Sequence, residues 1–315
     1  MKARNLEQMK SQTFGVEVEM NSITRERAAQ VAANYFGTGN FRDTRSTNGY
    51  YTWSAFDGQG REWKFSKDVS IAGPDSEKCE LVTPILHYED IETLQELVRK
   101  LRDAGAKSDA TRGCGIHIHV GGNGHTPKSL RTLVNIMASH EEILSKALNL
   151  APSRMSDYCK TVDPRFLEQV NREKPNTMDK LEDIWYVSQH QNYGRGEHYN
   201  HSRYHMLNLH SFFHGHGTIE FRLFQFDTPV RDGNGKLHGG IHAGQLKAYI
   251  QLCLALSQSA KELGSANPKK NDNQNSIPKT VMNRWLTRMG LAGDEFKTAR
   301  MFLTKKLKND RREVA

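Results

Sequence analysis

The stretch FGVEVEM, Phe14 to Met20, decides how the rest of the chain is read. Phe14, Val16, Val18 and Met20 alternate with Gly15, Glu17 and Glu19, the period of two that belongs to a strand with one apolar face. The other face carries two carboxylates. Same-face neighbours on a strand lie roughly 6.5–7 Å apart, so Glu17 and Glu19 can share one divalent ion through water or hold two neighbouring ions. Glu is a poor strand former, and two in one short strand need a reason: a solvated face or a ligand. Recurrence of the pattern favours the ligand.

It recurs at CGIHIHVG, Cys114 to Gly121, where Ile116, Ile118 and Val120 line one face and His117 and His119 the other. In TIEFRLF, Ile219, Phe221 and Leu223 oppose Thr218, Glu220 and Arg222. Glu80 lies on a further strand with Cys79 and Leu81 pointing the other way, and Asp68 and Ser70 follow the end of a strand over Arg61–Phe65. That strand pairs with Tyr50–Ala55 through FDGQG, whose Asp-Gly is a hairpin signal. Tyr204 to Phe213 also alternates and reads as a strand, with Leu207 and Leu209 facing away from Met206, Asn208 and His210.

Helices are expected after Thr24 to Gly37, over Tyr88–Leu101, from Pro127 to Leu150, around Lys180–His190 and over Ile241–Leu263. Gly37 to Gly49 and Asp227 to Gly240 read as loops. The text GGNGHTPKS superficially resembles a phosphate loop, but Pro127 stands where Gly must precede Lys128, and Thr126 as N-cap with Pro127 at the first helical position explains it better.

Three domains are expected: a main body over 1–263, a linker over 264–278 low in apolar residues, and a basic helical tail over 279–315. Of the 44 Lys and Arg, 12 fall in residues 266–315 against 5 of the 36 Asp and Glu, so the formal charge of +8 belongs almost wholly to the tail. The body has no basic field to recruit nucleic acid. No apolar run suits a membrane helix and the first residues lack a secretory core, so a cytoplasmic location is expected. The four cysteines are dispersed, with no CxxC, and read as reduced thiols.

If these strands share a sheet, their polar sides form a floor of carboxylates and imidazoles. Carboxylates without cysteine favour Mg²⁺ or Mn²⁺ over zinc. His117 and His119 suit metal or phosphate contact, or structural hydrogen bonds. Arg222 beside Glu220 supplies a fixed cation, either for phosphoryl transfer or as half of an ion pair. The residues alone leave three readings: phosphoryl-transferring enzyme, metal-dependent hydrolase or oxygenase, and non-catalytic module binding nucleic acid through the tail.

FGVEVEM, WKFSKDVSI, ELVTPIL, CGIHIHVG, RYHMLNLHSFF and GTIEFRLF, in that order, resemble the amidoligase family, carboxylate–amine ligases related to glutamine synthetase and glutamate–cysteine ligase. The likeness covers about residues 12 to 260. It implies an α+β fold, a glutamine-synthetase-like curved antiparallel sheet with helices on its outer face, that binds ATP and Mg²⁺ or Mn²⁺ and joins a small-molecule or peptide carboxylate to an amine. By the same resemblance Glu17, Glu19, Glu80, His117 and Glu220 would hold metal or nucleotide. Arg222, His119 and Ser70 would contact ATP, and Asp68, Arg203 and Arg222 would serve the chemistry, with Arg203 on phosphate or the substrate carboxylate. DTPVRDGNGKL and the basic tail depart from the family pattern.

Overall fold

The computed structural model of the chain describes residues 3–44, 49–270 and 277–309. Residues 271–276 of the expected linker, 310–315 of the expected tail and 45–48 of the expected first loop lie outside the described residues. The fold is α+β, with a large antiparallel sheet and helices, arranged as two compact units: one from 1–12, 119–223 and 248–315, the other from 13–118 and 224–247.

The second unit carries β1 (Phe14–Met20), α2 (Arg25–Tyr35), β2 (Phe41–Asp43), β3 (Trp53–Phe56), β4 (Glu62–Ser66), β5 (Cys79–Val82), α3 (Ile91–Asp103) and the start of β6 (Ile116–Gly121). Its strands run in the order β2-β3-β4-β5-β1-β6. The pairs β2/β3, β3/β4, β4/β5 and β5/β1 are antiparallel. As the alternation requires, Phe14, Val16, Val18 and Met20 are buried. Thr24 caps α2 by accepting from the Arg27 amide, and Ala28, Ala29, Ala32 and Ala33 form a small-residue face that packs on β3 and β4. At the expected hairpin, Asp57 accepts from the Gln59 and Arg61 amides and from the Trp63 indole, closing the turn. The loop expected over Gly37–Gly49 contains the short strand β2, and the loop after Phe226 contains the ribbon β9 (Val230–Arg231) and β10 (Leu237–His238).

The first unit holds α1 (Ala3–Lys10), the rest of β6, α4 (Pro127–Leu148), α5 (Pro152–Asp157), α6 (Pro164–Glu173), α7 (Met178–Ser188), β7 (Leu207–Asn208), α8 (His210–Phe213), β8 (Thr218–Phe224, whose last residue belongs to the second unit), most of α9 (Ala243–Glu262), α10 (Pro278–Arg288) and α11 (Lys297–Thr304). Thr126 and Ser129 form a reciprocal capping box with Pro127 at the first position of α4. The strand expected over Tyr204–Phe213 is mostly wrong: Leu207–Asn208 forms a strand, His205 makes an isolated bridge to Lys160, and a helical turn follows. Asn208 Oδ1 accepts from the His210 amide at 2.8 Å, a local bond that turns the chain out of the ladder. The tail helices pack. Met282, Leu286 and Leu303 are buried, Trp285 stacks on His140 of α4 with centroids 3.9 Å apart, and Lys306 Nζ donates to Leu148 O at 2.9 Å.

Candidate active site

In the second unit the β1/β5 register sets Glu19 directly opposite Glu80. Like charges directly opposed across a ladder repel, and Glu19 is 4% exposed, so water does little to screen it. Asp68 arrives from the loop after β4, and one ligand atom each from Glu19, Asp68 and Glu80 lies within 4.8 Å of the others. Glu17, Glu80 and His117 form a second such group, so Glu80 belongs to both. His117 Nδ1 lies 2.9 Å from Glu17 Oε2, and its Nε2 lies 3.8 Å from Glu19 Oε1. Glu19 Oε2 accepts from the Gly115 amide at 2.6 Å, which fixes the carboxylate's direction. Asp68 Oδ1 accepts from the amide and hydroxyl of Ser70, both at 2.6 Å.

The donor set is oxygen and imidazole. Burial pushes the Cys114 thiol up to about 12 and raises Cys79 as well, so neither offers a thiolate. Crowded carboxylates with an imidazole at the edge fit Mg²⁺ or Mn²⁺.

The first unit treats its acid differently. Glu220 on β8, 2% exposed, is bonded to Arg222 Nη1 and accepts from Asn208 Nδ2 at 2.6 Å; Asn208 is its partner across the β7/β8 ladder. His119 Nε2 lies 3.9 Å from Glu220 Oε1, while its Nδ1 meets Thr218 Oγ1 at 2.9 Å. Arg222, 5% exposed, also donates from Nε to Tyr158 O at 3.4 Å, and its guanidinium lies 5.8 Å from the Tyr204 ring. Arg203 approaches the same ring at 5.9 Å and donates to His198 O at 2.8 Å.

Of the residues singled out in the sequence, Glu17, Glu19, Asp68, Glu80 and His117 gather in the second unit with Ser70 beside Asp68, and His119, Glu220 and Arg222 gather in the first with Arg203 near Arg222 through Tyr204. Sequence reasoning missed Asn208 as the partner of Glu220 and the Gly115 amide as the anchor of Glu19. Asn208 carried a signal, because an amide flanked by leucines on a buried strand needs a polar partner. A backbone amide carries none.

The sequence profile of the family described as "Putative amidoligase enzyme" matches residues 10–257. The chain belongs to this family. Membership gives the amidoligase chain a ligase role in general terms. No curated protein matches its sequence. A solved structure, a bifunctional glutathione synthetase from Pasteurella multocida, is similar over 99% of this chain and 50% of its own, at 13% identity and a TM-score of 0.44. The amidoligase chain thus spans about half the length of that protein, and a likeness this loose says nothing about its chemistry. Among the described residues no helix is long and apolar enough to cross a membrane.

Proposed function

We propose that this amidoligase is an ATP-dependent carboxylate–amine ligase of glutamine-synthetase-like design. The γ-phosphoryl of ATP passes to a substrate carboxylate with release of ADP, and an amine then attacks the acyl carbon, forming the amide and expelling inorganic phosphate. Glu17, Glu19, Asp68, Glu80 and His117 would hold Mg²⁺, or Mn²⁺, which when bound neutralises triphosphate charge. Glu220 fixes the guanidinium of Arg222, which offsets charge developing on the transferred phosphoryl. His119 and Ser70 contact the nucleotide, and Arg203 takes the substrate carboxylate. No protein nucleophile is required.

The observation that carries this reading is the opposition of Glu19 and Glu80 with Asp68 in reach, a crowding of oxygen donors that suits a divalent cation. The test is to incubate the full chain with ATP, Mg²⁺ and pooled carboxylates and amines. ADP release together with a product whose mass is that of acid plus amine less water is expected. Turnover that needs no ATP, or no ADP with any pool, overturns the reading.

A further inference from the structure

The second unit holds a bonded network beside the carboxylates that the proposed chemistry leaves unused. Asp109, 1% exposed, caps the short turn Ala110–Arg112: Oδ1 accepts from the Thr111 amide at 2.9 Å and Oδ2 from Arg112 Nε at 3.1 Å. Arg112 Nη1 reaches on to Asn21 Oδ1 at 3.2 Å, at the end of β1. Asn21 Nδ2 in turn donates to Ala72 O at 2.9 Å, and the Ala72 amide donates to Arg112 O at 2.8 Å. These bonds tie the loop that brings in Asp68 and Ser70 to the turn before β6 through both backbone and side chain.

The turn also approaches Ser70 and Glu19 through its backbone. Gly113 has φ +69°, and a Cβ there would stand 2.6 Å from Ser70 O, so only glycine permits this approach. Two residues on, the Gly115 amide holds Glu19 Oε2, and Glu19 N donates to Gly115 O at 3.1 Å. Residues 112–115 therefore set the position of Asp68 and the direction of Glu19 together.

We propose that Arg112, clamped by Asp109 and bonded to Asn21, is a positioning residue for the Glu19–Asp68–Glu80 pocket. It fixes the spacing of the three carboxylates and so tunes which divalent cation they accept. The proposal rests on the metal-binding reading above. Groups that orient ligands from behind commonly change metal affinity 10–100-fold when removed. A pocket of fixed size discriminates against the larger, more tolerant Ca²⁺ in favour of Mg²⁺ and Mn²⁺.

The test titrates the purified full chain with Mn²⁺, following free Mn²⁺ by electron paramagnetic resonance, and repeats the titration with Ca²⁺ as competitor. Arg112→Ala is expected to weaken Mn²⁺ binding about 10–100-fold and to narrow the preference for Mn²⁺ over Ca²⁺. Arg112→Lys, which keeps one contact of the fork, should restore part of both. General loosening of the unit weakens both ions alike, so an unchanged ratio in Arg112→Ala overturns the proposal. Asn21→Ala leaves the Asp109–Arg112 pair intact but removes both the Arg112 contact and the tether to Ala72, and it should reproduce the narrowed ratio should Arg112→Ala fail to fold. Wild-type chain that binds no Mn²⁺ removes the metal reading and this proposal with it, whereas wild-type binding with unaltered variants removes the proposal alone.

Discussion

The carboxylate cluster of the second unit and Glu220 of the first are held by different means. In the second, Glu17, Glu19, Asp68 and Glu80 converge with His117 as the nearby base. In the first, Glu220 is bonded to Arg222 and Asn208, and Glu141 on α4 takes a third course. Burial pushes the Glu141 carboxyl up to about 7, against the pull of the Val162 amide and of Lys270, so it holds its proton in mildly acid solution. A buried acid can be neutralised by a protein cation, by its own proton or by an ion from outside. The cluster in the second unit has the composition for the last, and that contrast separates ligand sites from structural charge more sharply than the strand pattern they share.

The largest test of the contrast is Glu220→Ala. It strips the carboxylate from a buried guanidinium, and loss of one partner of a buried pair costs about 3–5 kcal/mol. A denaturation midpoint lowered accordingly is expected, and an unchanged midpoint would make Glu220 a ligand, not a counter-ion. Glu80→Gln should do the opposite. Mn²⁺ binding and ADP release are expected to fall by about 10²–10³, while the metal-free protein gains about 0.2–1 kcal/mol from the relieved repulsion with Glu19. Lower stability without metal would contradict an electrostatic origin.

Glu141→Gln probes the proton solution. The carboxyl's value is about 7 in the folded chain against 4.5 as reference. Between these the folded chain keeps a proton that the unfolded chain releases, so stability falls as pH rises through the window and stays low above it. At about 1.4 kcal/mol per unit, the variant should be more stable by about 3 kcal/mol at pH 8 and no more stable at pH 4, as thermal melts at both values would reveal. Asn208→Ala is the smallest change. It removes the bond to Glu220 and the bond to the His210 amide, at about 1.5–3 kcal/mol, and Mn²⁺ affinity in the second unit should not move.

The acids of the site were legible because alternation assigns faces: Glu17 and Glu19 share one, and Glu80 opposes Cys79 and Leu81. What alternation does not give is register, which long-range pairing sets. That Glu19 meets Glu80, and not a neighbour two residues away, had to come from the structure. The caps at Thr24 and Thr126 were legible for the same local reason that Asn208 misled. A short polar side chain bonded to nearby backbone overrides periodicity, and at Asn208 it ends a strand that the hydrophobic pattern would have continued. The starts of α5 and α6 at Pro152 and Pro164 follow the rule for the first helical position.

The seating of α10 and α11 bears on where this chain can be cut. The family match stops at residue 257, yet the described part of the first unit continues to residue 309, with Met282, Leu286, Phe302 and Leu303 turned inward and Lys10 bonded to Glu295 at 2.7 and 2.8 Å. A truncation chosen from the homology boundary would bare the greasy flank of α4 that Trp285 and α11 now shield, and the shortened product is expected to precipitate on expression even though every residue of the recognised family stretch is retained.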